Sequence, residues 1–320
     1  MTPEQLALRD AVRGLLAKHS DVRAAVETPH GYDEDVWARL SGMGVLPIPE
    51  EFGGSGATAQ DTCVVLEELG RTLTPSPLLA TTIATHALLS VKHDELLRRI
   101  ANGAIATLAW PWDGTQVTGG DHLTGTFRYV LDGDHAEILV VSDGEHLYEV
   151  REVTPEHTPA MDRTRRLATV HLDRAPATRL GPWDPAVRTA AIAALAAEQV
   201  GTAARALELT VEHTKTRVQF GRPIGSFQAL KHRMADMHVL VETARSAAGA
   251  VVDETSATVA KVYCSEALFA VAAEMVQLHG GIAITWEHDA HLYFKRAHGS
   301  RQLFGSPQDH LKQLARSAHK

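Results

Sequence analysis

Residues 217–228 read RVQFGRPIGSFQ, and this stretch decides how the chain on either side of it is interpreted. The residues before it, from Ala186 to about Thr216, are rich in alanine, which lets helix axes approach closely. After it, apolar residues keep helical spacing from Phe227 to Val251. Glycine and proline punctuate the stretch itself, as turns require. The sequence therefore predicts two long helices joined by a turn.

A third long helix follows, because residues 257–278 again place apolar side chains at helical spacing. Long helices with short connections usually form an antiparallel bundle. The segment GPWDP at residues 181–185 marks the point where the bundle begins. We therefore expect a C-terminal helical bundle over residues 181–320.

Residues 103–180 have a different pattern, with short apolar segments that often alternate with polar residues. Clusters of Gly and Asp separate these segments, which is typical of strands joined by turns. The expected strands are residues 105–110, 123–130, 137–141, 147–150 and 169–172. Residues 1–102 show helical spacing. The predicted fold is multidomain α+β, with an N-terminal all-α domain, a middle β-domain and the C-terminal bundle.

Composition excludes several classes of protein. The 320 residues carry 31 Lys and Arg against 39 Asp and Glu, a formal charge of −8, with no basic block of the kind that nucleic-acid binding requires. The two cysteines, Cys63 and Cys264, match no zinc spacing and make no disulfide framework. The first residues lack the pattern of a signal peptide, and no apolar run approaches the roughly 20 residues that span a bilayer. We expect a cytoplasmic protein that does not enter a membrane.

Three motifs occur in order along the chain: residues 43–56 (MGVLPIPEEFGGSG) with residues 67–71 (EELGR), residues 217–228, and residues 277–281 (QLHGG) followed by TWE at 285–287. Together they resemble motifs of the acyl-CoA dehydrogenase family. The first is similar to the first domain of that family, the second to its flavin-contacting turn between bundle helices, and the third to its second flavin motif. The resemblance spans nearly the whole chain and implies the fold described above.

The resemblance implies FAD as the cofactor. Its pyrophosphate favours arginine as a bidentate donor and close backbone approach through glycine. The residues that the resemblance assigns to FAD are Arg217, Phe220, Gln228, Gln277, Gly280 and Gly281. In the family these groups reach the flavin of a neighbouring subunit, so the resemblance also implies an oligomer. The alternative is purely structural: Arg217 bonds local carbonyls, and the other residues form a polar face and a helix stop.

An acyl-CoA dehydrogenase needs a base that removes the proton α to the thioester while a hydride leaves the β-carbon for the flavin. Most members use a Glu that opens a Glu-Gly-Thr or Glu-Gly-Ser turn. The corresponding register here falls on Phe304-Gly305-Ser306, and Phe cannot abstract a proton. Some relatives place the base early in the first bundle helix, where the first carboxylate of this chain is Glu198, a full turn or more too late. We therefore expect no catalytic residue in this chain.

Two further groups of residues admit a functional or a structural reading. Trp110 and Trp112 lie where active members contact the flavin ring, although two Trp flanking a Pro usually anchor a loop. His288, His291 and His298 are near helical spacing, and an exposed helix face of mixed charge is expected there in preference to a metal site.

The chain therefore lacks the residues that the family uses at the flavin ring, but it retains those that reach the FAD of a neighbouring subunit. This asymmetry resembles the shorter subunit of heterotetrameric bacterial acyl-CoA dehydrogenases of steroid catabolism, whose larger homologous subunit supplies the Glu and binds most of the acyl-CoA. Two alternatives stay open. One is a self-sufficient homo-oligomeric dehydrogenase or flavoprotein oxidase with another base, such as Glu198. The other is a flavin-free scaffold that binds acyl-CoA or a partner.

Overall fold

The computed structural model describes residues 1–317, which form eleven α-helices and nine strands. The first six helices precede the strands and the last five follow the long strand β7. The helices are α1 (Pro3–His19), α2 (Val22–Ala25), α3 (Glu34–Gly42), α4 (Ala59–Thr72), α5 (Leu78–Ser90), α6 (Asp94–Ala101), α7 (Ala186–Thr216), α8 (Gln228–Gly249), α9 (Glu254–His279), α10 (Ala290–Gln302) and α11 (Pro307–Ser317).

Most strands lie between α6 and α7, and a short pair lies between α7 and α8. The strands are β1 (Ala106–Ala109), β2 (Thr118–Gly119), β3 (His122–Leu131), β4 (Ile138–Ser142), β5 (His146–Val150), β6 (Glu156–His157), β7 (Leu167–Pro182), β8 (Val218–Gln219) and β9 (Arg222–Pro223). Helices therefore flank a β-region at both ends of the chain, as the sequence predicts.

The chain folds into two compact units. The first comprises residues 1–66 and 74–194, and the second comprises residues 67–73 and 195–320, of which 318–320 lie outside the described residues. The first unit thus holds both the N-terminal helices and the sheet. The three domains expected from sequence, with boundaries after residues 102 and 180, stay a prediction.

The N-terminal helices of the first unit have clear sequence causes. Thr2 caps α1 in a capping box with Gln5, and Pro3 stands at the first helical position, where its missing N–H costs nothing. α5 is apolar on all sides because most of its residues are buried. Its Thr81 hydroxyl accepts a hydrogen bond from the backbone N–H of Ala106, which ties the helix to β1.

The sheet of the first unit has seven strands in the order β1-β4-β5-β7-β3-β2, with β6 also pairing β7. β1 and β4 are parallel and the other pairs are antiparallel. Its apolar cluster includes Phe127, Val141, Tyr148 and Val170. β7 is much longer than the expected strand at 169–172, because its first part pairs with β3 and its last part with β5.

The second unit is a helical bundle with α9 at its centre, and it confirms the predicted C-terminal bundle as part of the fold class. Of the 26 residues of α9, 13 are buried. Residues 254–284 are, by length and composition alone, apolar enough to cross a membrane, although Lys261, Glu266 and Glu274 interrupt the apolar residues. Packing against α8, α10 and α11 accounts for this apolar character, because a core helix of a bundle passes the same test.

The last turns of α4 pack closely on α7 within the second unit. A Cβ placed on Gly201 would lie 1.8 Å from the carbonyl oxygen of Glu67, and one placed on Gly70 would lie 2.1 Å from that of Glu198. Only glycine permits so close an approach. The Arg71 guanidinium also bonds the Glu208 carboxylate at 2.7 Å, which fixes the two helices side by side.

Candidate functional site

All six residues assigned to FAD lie in the second unit, at one end of the helical bundle. Arg217 directly follows α7, Gln228 begins α8, and Gln277 lies in the last turn of α9. The Arg233 guanidinium pairs with the Glu274 carboxylate at 2.5 Å, close to both glutamines, and so joins the start of α8 to the end of α9. The antiparallel packing of α8 and α9 therefore brings the separate sequence motifs together.

The turn at this end is a two-residue β-hairpin. β8 pairs with β9, and the connecting residues Phe220 and Gly221 have φ values of 52° and 76°. Hairpins with two such residues match the natural twist of the strands, and they favour Asn-Gly at these positions. A bulky side chain is uncommon in the left-handed region and costs about 1–2 kcal/mol there. Phe220 is therefore held in an unfavourable conformation, and its side chain is 91% exposed.

Phe227 supports the hairpin from below. The Arg222 guanidinium lies 4.0 Å from the centre of its ring, and the Phe220 ring meets it edge-on at 6.1 Å. Both arrangements are attractive for an aromatic ring. The ring of Phe220 is therefore presented to solvent in a defined orientation.

Arg217 is anchored through its backbone and exposed through its side chain. Its N–H donates to the carbonyl of His213 at 2.9 Å, and its own carbonyl accepts from the N–H of Ile224 at 2.8 Å. These two bonds fix the point at which the chain leaves α7 and enters the hairpin. The exposed guanidinium is a planar donor of the kind that binds phosphate in a bidentate manner.

The two glutamines are exposed near the hairpin. The Gln228 side-chain amide contacts the imidazole Nε2 of His232 at 3.0 Å, one turn further along α8. A primary amide both donates and accepts hydrogen bonds. Each glutamine can therefore bond the hydroxyl or ring-nitrogen groups of a nucleotide.

Gly280 ends α9 in a conformation that other residues avoid. Its φ is 68° and its ψ is −149°, and its N–H donates to the carbonyl of Val276. A Cβ added to Gly280 or to Gly281 would have no atom within 4 Å, so both glycines border open space. A ligand can therefore approach the backbone here as closely as a pyrophosphate requires.

A cluster of three histidines, which the sequence analysis did not predict, links the two motifs. The rings of His213 and His279 stack at 4.2 Å, and His288 lies 4.6 Å from His279. Burial lowers the pKa of His279 to about 4, and it also lowers the pKa of His213. His279 directly precedes the glycine pair, but no sequence spacing connects it with His213.

These features fit the expected cofactor. A dinucleotide offers a pyrophosphate, sugar hydroxyls and an aromatic base. The exposed guanidinium of Arg217, the two glutamine amides and the ring of Phe220 are complementary to those groups. The open space beside Gly280 and Gly281 is available for the ligand. The role of these residues in binding FAD stays a prediction.

Phe304 lies at the position where the resemblance predicts that the base is replaced, and this correspondence stays a prediction. Its side chain is 3% exposed and its φ is 61°, and Gly305 follows at 101°. The Nε2 atom of His310 lies 2.9 Å from the Phe304 carbonyl oxygen, and Ser306 bonds Asp309 to begin α11. The turn itself is therefore present, but its first side chain cannot take up a proton.

Glu198 is engaged elsewhere. It is 6% exposed, and its carboxylate accepts a hydrogen bond from the guanidinium of Arg296, which is 2% exposed. A carboxylate neutralised by a buried arginine is a weak acceptor for a substrate proton. The geometry does not favour Glu198 as the base.

The two Trp and three His residues that the sequence also singled out lie in different surroundings. Trp110 is buried and Trp112 is half-buried in the first unit, with the Trp112 N–H donating to the Trp110 carbonyl at 2.8 Å across Pro111. The expectation of an exposed helix face at His288, His291 and His298 is wrong for two of them. His288 is half-buried and precedes α10, and His291 is buried edge-on to Trp286 at 4.8 Å. Within residues 1–317, no group of three or more His, Cys, Asp or Glu could hold a metal ion.

Two models of one protein family match this chain, one in its N-terminal part and one in its C-terminal part. The N-terminal domain model of acyl-CoA dehydrogenases matches residues 2–105, and the C-terminal domain model matches residues 192–319. The acyl-CoA dehydrogenase IpdE2 of Mycolicibacterium smegmatis is 49% identical over 323 residues, which covers 98% of this chain and 98% of that protein.

Two solved structures are similar over the whole chain. A chain in a variant of the Tcur3481-Tcur3483 steroid ACAD superposes with a TM-score of 0.89 and 30% identity, and the match covers 99% of each chain. A chain of the ChsE4-ChsE5 complex from Mycobacterium tuberculosis gives a TM-score of 0.91 with 26% identity, covering 100% of this chain and 98% of the other.

Proposed function

Because the chain belongs to the acyl-CoA dehydrogenase family, we propose that it is a subunit that completes an FAD site across a subunit interface without supplying the catalytic base. The family, its fold and FAD as its cofactor are confirmed predictions. The partner, the shared site and the origin of the base are the proposal.

Phe304 carries this proposal. The turn that presents the base in most members of the family is built here around a buried phenyl ring, and its Gly and Ser are retained. Glu198, the other candidate, is neutralised by Arg296. A second chain with an intact Glu is therefore needed to remove the α-proton.

The exposure of the FAD-directed residues supports a shared site. Arg217, Phe220, Gln228 and Gln277 all point away from the interior of their own unit. An exposed, conformationally unfavourable Phe is retained more readily where a second molecule covers it. These side chains are placed to hold a cofactor that another subunit binds on its opposite side.

The similar proteins suggest the partner and the substrate class. One similar structure is a steroid ACAD named for two components, and another is a complex of two. We infer a larger homologous subunit in a heterotetramer, which binds most of the acyl-CoA, and a substrate whose acyl group derives from a steroid. We expect this assembly in the cytoplasm, with α9 in the bundle core and not in a membrane.

The chain's own residues bind the FAD cofactor and orient it. Arg217 donates to the pyrophosphate, Gly280 and Gly281 let the backbone approach it, and the glutamines bond the sugar or ring groups. Phe220 packs on the cofactor and excludes water from its edge. When bound, FAD supplies the acceptor for the hydride that leaves the β-carbon of the acyl group. Proton removal falls to the partner.

Native mass spectrometry of the tagged chain, purified from its own source, tests the proposal. We expect a heterotetramer with a larger homologous subunit, and flavin absorbance that gives about one FAD per pair of chains. A homotetramer with one FAD per chain and activity toward acyl-CoA would refute the shared site. An assembly without flavin would favour a scaffold.

A paired substitution tests the site itself. Arg217→Ala should lower the FAD content of the assembly, because the pyrophosphate loses a charge-assisted donor. Arg316→Ala, at an exposed position on α11, removes the same charge and serves as the control. Equal FAD content in the two variants would show that Arg217 does not bind FAD.

A further inference from the structure

The histidine cluster of His213, His279 and His288 is packed where the end of α7 meets the end of α9. The rings of His213 and His279 are nearly parallel, with an interplanar angle of 27° and centroids 4.2 Å apart. His288 follows the glycine motif and lies 4.6 Å from His279 and 6.5 Å from His213. One ring therefore comes from each of the three segments that surround the site.

Hydrogen bonds determine which ring nitrogen carries the proton in two of these neutral imidazoles. The Nδ1 atom of His279 lies 2.7 Å from the carbonyl oxygen of Met275, so it carries the proton and donates. The Nδ1 atom of His288 accepts from the N–H of Ala290 at 3.0 Å, so its ring proton is on Nε2 when the ring is neutral. In the neutral ring, the Nε2 atom of His279 then carries a lone pair and no proton.

The electrostatic surroundings favour a neutral pair. Burial is the largest cause that lowers the pKa of both rings, and the charges of His288 and Arg217 add to it for His213. For His279 the bond to Met275 opposes the effect of burial, and the charges of His213 and His288 add to that effect. The Nε2 atoms of His213 and His279 are buried without a hydrogen-bond partner within the described residues. Neutral imidazoles stack as flat aromatic plates, whereas two adjacent imidazolium ions repel.

The stacked rings are directly joined to residues that the proposed function assigns to FAD. The His213 carbonyl accepts from the N–H of Arg217, one helical turn later. His279 is bonded to Gly280, which has the unusual backbone conformation beside the open space. Movement between the two rings would therefore change the separation of Arg217 from the glycine pair.

We propose that His213 and His279 are positioning residues, which hold Arg217 at a fixed separation from Gly280 and Gly281 through their ring stack. His288 closes the stack from the following loop. This inference rests on the proposed function, because it concerns the same cofactor site. The rings act through the residues beside them and do not themselves contact FAD.

The test uses the tagged full-length chain in the assembly in which it is purified, with FAD affinity measured by flavin fluorescence after dilution. His279→Ala removes one plate of the stack, and His279→Phe keeps a flat ring that carries no proton. His213→Ala disrupts the same stack from its half-buried side, should His279→Ala fold poorly. His238→Ala, at an exposed position on α8, is the control.

We expect His279→Ala and His213→Ala each to weaken FAD binding about three- to tenfold, the range that corresponds to an aromatic pair. His279→Phe should bind FAD within about twofold of the wild type. The double alanine variant should be no weaker than either single variant, because the stack is lost only once. In the flavin-free chain, hydrogen exchange should rise in residues 217–228 and 280–288 in the alanine variants alone.

Two results would overturn the inference. Additive losses in the double variant would show that the rings act independently, and failure of His279→Phe to rescue would show that stacking is not the cause. Arg217→Ala separates this failure from failure of the proposed function. If Arg217→Ala weakens FAD binding and the histidine variants do not, only the positioning role is wrong; if neither does, the site itself is wrong.

Discussion

Glu198 of α7 and Arg296 of α10 form an ion pair in the interior of the second unit, where the two residues are 6% and 2% exposed. Such a pair adds little net stability, but removal of one partner leaves an uncompensated buried charge. The pair joins α7 to α10. It also engages the Glu198 carboxylate, which is therefore a poor candidate for the base.

Glu198→Gln should destabilise the chain by about 3–5 kcal/mol, because the buried Arg296 guanidinium loses the Glu198 charge. The double variant Glu198→Leu/Arg296→Met, which removes both charges, should recover most of this loss. Urea unfolding measures both. Flavin reduction by acyl-CoA in the assembly should persist in Glu198→Gln at a temperature where it is folded. A stable Glu198→Gln variant that abolished flavin reduction would instead identify Glu198 as the base.

Gly201→Ala should destabilise the chain by about 3 kcal/mol, because the new Cβ would lie 1.8 Å from the Glu67 carbonyl oxygen and force α4 away from α7. Gly14→Ala in α1 is the matched control, since a Cβ there meets no atom within 4 Å. The control should gain about 0.5–1 kcal/mol from the better helix propensity of alanine. Thermal melts of the two variants that shift in the same direction would contradict the close helix packing.

The sequence predicts the bundle well, because its helices are long and strongly periodic. The limits expected for α7, Ala186 to about Thr216, agree with the structure. The sequence underestimates the length of β7, which spans Leu167–Pro182. Arg174 lies at a φ of 49° where the pairing with β3 shifts between Leu172 and Ala175, and this irregularity breaks the alternation that marks a strand.

The candidate site was predictable only in part. Its motif residues can be predicted from sequence, because each lies in a short local phrase that resembles a family pattern. The stack of His213 on His279 was not found, because it depends on how α7 packs beside α9 and leaves no local signature. The same holds for the Glu198 and Arg296 pair, whose members are far apart in sequence.

Phe220→Asn should stabilise the free chain by about 1 kcal/mol and weaken FAD retention by the assembly. Asn adopts the left-handed conformation more readily than Phe, and Asn-Gly is the preferred pair for this hairpin. Tyr129→Asn is the matched control, because Tyr129 is also an exposed aromatic residue at positive φ, 58°, but lies on β3 of the first unit.

The control should gain stability without losing FAD. Unfolding by urea and flavin absorbance after desalting measure the two effects. Equal FAD retention in the two Asn variants would show that Phe220 has no role in cofactor binding, and a loss of stability in Phe220→Asn would show that its conformation is not strained.

Stability should fall as the pH is lowered from about 7 to 5, and His279 should account for a large part of the change. Burial lowers its pKa from 6.5 to about 4 in the folded chain, so the unfolded chain takes up a proton first as the pH falls. The stabilisation is fully present above pH 6.5 and is lost as the pH approaches 4. The expected loss from this one residue is about 2 kcal/mol between pH 7 and 5.

His279→Phe cannot be protonated, so its free energy of unfolding should change by about 2 kcal/mol less than that of the wild type over this range. Some pH dependence should remain in the variant, because burial also lowers the pKa of His86, His135 and His213. Urea titrations of both proteins at pH 7 and pH 5 give the comparison. Parallel pH profiles would mean that His279 is protonated as readily in the folded chain as in the unfolded one, and that the stack tolerates a charge.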